Sequence, residues 1–128
     1  MSIESLQELA NITAKVFWLD ASSSFKKHNY DIGIIPNIIM NNRLTSTAGR
    51  AFIERGYIDL SVFLMERNVE GFLDDTIPHE LCHIIAWRLF NDKGHGKAWK
   101  NTVLFLGKDP TRCHSYITKS QAIKRSLI

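Results

Sequence analysis

His79-Glu80-Leu81-Cys82-His83 lies inside an apolar, helix-like run, and its reading decides the rest of the chain. Two histidines four residues apart stand on one face of an α-helix, about one turn from each other, and can bind one metal ion together. Glu80 sits one step, roughly 100°, around the same helix. A carboxylate there can reach a water activated by the metal without being a ligand itself. The bland alternative, two ordinary surface histidines, fits poorly with the apolar surroundings.

A catalytic zinc site commonly takes three protein ligands and keeps one position open. The candidates for the third ligand are His95, His114, Cys82, Cys113 and the acidic residues. His95 is the best placed, because the interval after His83 is long enough to finish a helix and turn back. Gly94 and Gly96 flank it and give the backbone freedom there. Cys82 flanks the histidine face on the side opposite Glu80. As a thiolate it would close the site, but a small buried hydrophobe is the commoner fate of a free cysteine. Cys113 and His114 point apart if they lie in a strand, so at most one faces the site. His114 is then a polar contact near the metal. His28, beside Lys26 and Lys27 in a polar stretch, reads as a surface histidine.

Outward from the motif, apolar Ile3, Leu6, Leu9, Ile12 and Val16 recur at helical spacing, with Ser2 as N-cap. A polar connection is expected over 19–36. Strands are expected near Asn37–Met40, Thr45–Glu54 and Tyr57–Leu60, forming a small antiparallel meander with a turn at Arg55-Gly56. A long helical region from Val69 to Phe90 follows, with Asn68 as its cap. Pro78 implies a kink, or a helix starting near Thr76 with the proline in its first turn. Trp87, Leu89 and Phe90 are expected to pack that helix into the core, and Trp99 to anchor a second helix from Ala98 to Leu106, closed by Gly107. Asp109-Pro110 reads as a turn, Arg112–Thr118 as a final strand, and 119–128 as a basic tail.

The chain has 128 residues, enough for one domain and a real core at 45% hydrophobic content. Its formal charge is +3, mildly basic, which suits a nucleic-acid partner without requiring one. The first residues lack a basic and apolar leader, no apolar run would span a membrane, and two cysteines imply no disulfide framework. A cytoplasmic protein, near the nucleoid or inside an infected host cell, is the expectation.

These residues together resemble the SprT family of zinc metalloproteases, relatives of the eukaryotic protease Spartan. The likeness rests on Thr47-Ala48-Gly49 with Tyr57-Ile58-Asp59-Leu60-Ser61, on Pro78 to His83 with Trp87, on His95-Gly96-Lys97-Ala98-Trp99, and on Arg112-Cys113-His114. It covers about residues 35–118. It implies a gluzincin-like α+β domain over residues 1–118, one zinc ion on His79, His83 and His95, and Glu80 as catalytic base. It also implies a protein or peptide substrate that is DNA-bound or crosslinked to DNA. Bacterial members continue into a cysteine-rich zinc ribbon that this sequence lacks, so DNA contacts are expected from the catalytic domain itself or from another protein. Lys26, Lys27, Arg43, Lys119, Lys124 and Arg125 are the candidates, although each taken alone reads first as ordinary solvated surface charge. Two other readings stay open: a non-catalytic zinc-binding adaptor whose site Cys82 closes, and a zinc hydrolase of a non-peptide amide.

Overall fold

The computed structural model describes residues 1–111 and 116–126. Its architecture is α+β: a long N-terminal helix, a three-stranded sheet, then helices. Cys113, His114, Arg112 and the side chain of Arg125 lie outside the described residues.

Helix α1 runs Ile3–Lys26, capped by Ser2, whose Oγ accepts from the Ser5 N–H at 3.1 Å. It continues to Lys26, through the first part of the connection expected over 19–36, and it shows the core a different face. Leu6, Ala10, Ala14, Trp18, Ala21 and Phe25 are buried, while Ile3, Ile12 and Val16 point to solvent. Alanines carry the inward face, so hydrophobicity alone points to the wrong side. Burial of Ala21 and Phe25 carries the helix through three serines that favour a loop on propensity. The connection after α1 is pinned from both sides. Trp18 donates to Gly33 O at 3.0 Å, and Arg88 donates to Ile32 O and Ile34 O at 2.9 and 2.6 Å.

Strands β1 (Asn37–Asn41), β2 (Gly49–Phe52) and β3 (Tyr57–Ser61) assemble in the order β1-β3-β2. The β2–β3 pair is antiparallel, but β1 pairs with β3 in parallel. The expected all-antiparallel meander is therefore replaced by a mixed sheet. Burial explains the order: Ile58, Asp59, Leu60 and Ser61 are all nearly inaccessible, which suits a central strand. The β1–β2 loop crosses the end of β3, where Ser61 holds it. The Ser61 N–H donates to Ala48 O, and its hydroxyl donates to Leu44 O at 2.7 Å. The same hydroxyl accepts from Leu64 N and caps α2 (Val62–Arg67), a helix the sequence pattern did not announce.

Asn68 does not cap the following helix. Its side chain donates back to Leu64 O at 2.8 Å and finishes α2 instead. Helix α3 (Val69–Gly71) then widens into a π turn over Phe72–Thr76, where the Ile77 N–H reaches Phe72 O. Helix α4 (Ile77–Phe90) begins there, with Pro78 in its first turn. The wide turn is where a proline ring would otherwise press on the carbonyl four residues back. Leu81, Ile84, Ile85 and Ala86 are fully buried and seat α4 in the core, whereas Trp87 and Leu89 are partly covered and Phe90 is exposed. Helix α5 (Lys97–Phe105) ends before Gly107, which has φ +79°. The residues read as a basic tail include a helix, α6 (Lys119–Ser126). Thr118 and Gln121 start it with a capping box: the Gln121 N–H donates to Thr118 Oγ1 and the Thr118 N–H to Gln121 Oε1. Tyr116–Thr118, within the expected final strand, is not extended sheet.

Tyr116 stacks on Phe72 and its hydroxyl meets Thr76 Oγ1 at 3.1 Å. A Cβ on Gly71 would lie 2.5 Å from that hydroxyl. Gly71→Ala should therefore lower stability by about 1–3 kcal/mol despite alanine's better helix propensity. In a Tyr116→Ala background the same change should become neutral or stabilising. Thermal denaturation of the four proteins reads the change of sign.

Candidate metal centre

Helix α4 places His79 and His83 one turn apart, and the loop between α4 and α5 brings His95 to them. The three Nε2 atoms form an equilateral triangle, each pair 3.2 Å apart. Three mutual hydrogen bonds are impossible in such a ring. Each Nε2 is either a donor or an acceptor, so among three at least one pair clashes like with like. A cation facing three lone pairs removes the conflict. Nitrogens bound to a tetrahedral zinc at 2.0–2.1 Å lie about 3.3–3.4 Å apart, close to this triangle. The donor set therefore fits a zinc ion, and His79, His83 and His95 are the group among the described residues that could hold one.

Burial favours the form a metal needs. It pushes the His79 pKa down to about 4, with His95 adding to the effect, and that of His83 to about 3, with His79 and His95 adding. Both rings are thus neutral, lone-pair donors at physiological pH. Trp99 does more than anchor a helix. Its indole stacks on His83 at 13° and 4.9 Å, meets His79 and His95 edge-on at 4.7 and 4.6 Å, and directs its N–H at His79 O. One rigid side chain touches all three imidazoles. Its position four residues after His95 was the available signal.

Glu80 is 7% exposed. Its Oε1 lies 3.9 Å from His79 Nε2, and its buried Oε2 has no hydrogen-bond partner. Burial, helped by the charge of Asp59, pushes its pKa up to about 7. Asp59 itself stays ionised. Burial opposes that, but Arg50 donates to both its oxygens at 3.0 and 2.6 Å, and Asn41 donates at 2.9 Å. Gly49 makes room for Glu80, since a Cβ there would lie 3.2 Å from Glu80 Cγ. Neither Asp59 nor Arg50 stood out in the sequence, because a salt bridge between neighbouring strands has no local pattern.

Cys82 is fully buried against Ala86, Trp99 and Val103, and burial pushes its thiol up to about 12. It is a packing residue, so closure of the site by Cys82 finds no support.

The SprT-like family model matches residues 22–119. Protein SprT of Salmonella arizonae is 36% identical over 93 residues, 71% of this chain and 54% of its own length. Protein SprT of an Enterobacter species is 37% identical over 87 residues, 66% of this chain and 52% of its own length. The chain spans about half the length of the curated relatives it matches. No solved structure matches it significantly.

Two outcomes follow for the metal centre. Zinc should raise the thermal midpoint of wild type and leave His95→Ala almost unmoved. In metal-free protein, Glu80 has a folded pKa above its unfolded one. Its contribution to stability is therefore full below about 4.5 and lost as pH rises through about 7. Glu80→Gln should then stabilise the metal-free protein at pH 8 and not at pH 4.5, as melting curves at the two values would record.

Proposed function

The chain belongs to the SprT-like family, and on that footing we propose that it is a zinc-dependent endopeptidase. The observation that carries the reading is the unpaired, buried Oε2 of Glu80 beside the histidine triangle. A group with a pKa near 7 can both take and return a proton at neutral pH. A zinc ion on His79, His83 and His95 would polarise a carbonyl and acidify a water. Glu80 takes the proton of the attacking water and delivers it to the leaving amine nitrogen. Trp99 and the buried walls of α4 hold the imidazoles still while this happens.

A peptide substrate suits the surroundings better than a small amide. β2 is an edge strand, and it begins at Gly49, against Glu80. An extended chain can add to such an edge through backbone hydrogen bonds and lay its carbonyls past the site. Two cavities among the described residues, of about 650 and 740 Å³, are lined by residues other than the three histidines.

The reading extends to substrates held on DNA. The candidate cations fall into two groups. Arg43 lies in the β1–β2 loop, and the Lys119 N–H donates to Thr45 O of that loop, which brings α6 and its Lys124 to the same end. Lys26 and Lys27 close α1 at its other end. Lys26 and Lys27 sit between Phe25 and His28, which line the 650 Å³ cleft with Tyr30, Phe90 and Phe105. His28 is exposed, as a surface histidine should be, and meets Phe105 edge-on at 5.5 Å. The exposed rings of Tyr30, Phe90 and Phe105 beside exposed lysines suit stacked bases of a single strand, and we propose the DNA contact there.

Zinc-loaded wild type should cleave a DNA-binding protein, faster with single-stranded DNA, and Glu80→Gln should bind zinc equally and cleave nothing. Stimulation should fall steeply with salt. Cleavage by both proteins, or by neither at equal zinc content, would overturn the peptidase reading. A stimulation indifferent to salt would remove the DNA.

A further inference from the structure

Asp92 takes no part in the chemistry above, yet its carboxylate fastens the loop that carries His95 from both sides. Helix α4 stops where Asn91 adopts φ 57°, a left-handed turn that sends Asp92 towards the start of α5. Asp92 Oδ1 accepts from the Gly94 N–H at 3.0 Å, and Oδ2 accepts from the Trp99 N–H at 2.9 Å. The Gly96 N–H also points to it. Gly96 is the N-cap residue of α5 and has no side chain to cap with. Asp92 supplies the missing oxygen from outside the helix, at the third helical residue, where an N-cap side chain normally bonds. Gly96 is there because a Cβ would sit 2.7 Å from Asp92 Oδ2.

The same bonds reach the triangle through two routes. Gly94 and Gly96 bracket His95, so holding both fixes where its imidazole emerges. Trp99 is the indole that touches all three histidine rings. His79 and His83 are set by a buried helix, whereas exposed His95 sits on a loop. The loop is therefore the element whose freedom decides whether a third nitrogen is in place.

We propose that Asp92 is a positioning residue for the metal site: its carboxylate clasps the Gly94–Trp99 segment and holds His95 at ligand distance from His79 and His83. The proposal rests on reading the triangle as a metal site. Asp92→Ala should then weaken zinc binding about 10–100-fold, the usual effect of losing a group that orients a metal ligand. Asp92→Asn, which keeps one acceptor oxygen, should recover part of that loss. Gly96→Ala leaves the carboxylate but displaces it, and should weaken binding like Asp92→Ala.

Competition with a chromogenic chelator gives the zinc affinities, and circular dichroism gives the melting of the metal-free proteins. Weakened zinc binding at an unchanged metal-free melting temperature supports the clasp. Unchanged zinc affinity in Asp92→Ala and Gly96→Ala overturns it. So does a loss of affinity that only tracks a lower metal-free melting temperature across the three variants, since that marks an ordinary structural role. Failure of wild type to bind zinc would instead overturn the metal-site reading, and the clasp with it.

Discussion

Three imidazole nitrogens held 3.2 Å apart are a source of conflict until something positive faces them. Neutral rings cannot all hydrogen-bond to one another, and protonated ones would repel in a half-buried site. The fold nevertheless imposes this arrangement. It does so through a helix whose inner residues are almost all inaccessible, an indole in contact with each ring, and a carboxylate that ties down the loop.

The environment of Glu80 follows the same logic with opposite sign. Two carboxylates, Asp59 and Glu80, face one another's charge in the interior, and their surroundings separate their proton affinities. Asp59 receives Arg50 and Asn41, while Glu80 receives nothing at Oε2. One stays charged, and the other is held near neutrality with a site free for a proton. The central position of β3 brings this about, since it carries Asp59 between β1, which supplies Asn41, and β2, which supplies Arg50.

Much of this was legible in the sequence where a feature depends on near neighbours. His79, His83 and Glu80 share one helix, so their spacing alone tells where they point. Ser2, Gly107 and the Asp109 turn act within a few residues and could be read directly. The glycines around His95 marked its loop. What failed was whatever depends on distant partners. The inward face of α1 is set by how closely alanines let it approach its neighbours, not by its most apolar residues. Parallel pairing of β1 with β3 depends on a crossover that no strand pattern encodes. Asn68 finishes one helix rather than starting the next, a choice that both readings of a capping residue allow. Asp92 looks like any loop aspartate until Gly94, Gly96 and Trp99 are seen around it. The readings of Cys113 and His114 fall outside the described residues.

The most direct test of the account is X-ray absorption at the zinc edge of the loaded protein. The predicted first shell is three imidazole nitrogens and one further light atom at about 2.0–2.1 Å, with no sulfur. A sulfur scatterer near 2.3 Å would mean that a cysteine closes the site. That result would contradict both the open metal centre and the role given to Glu80.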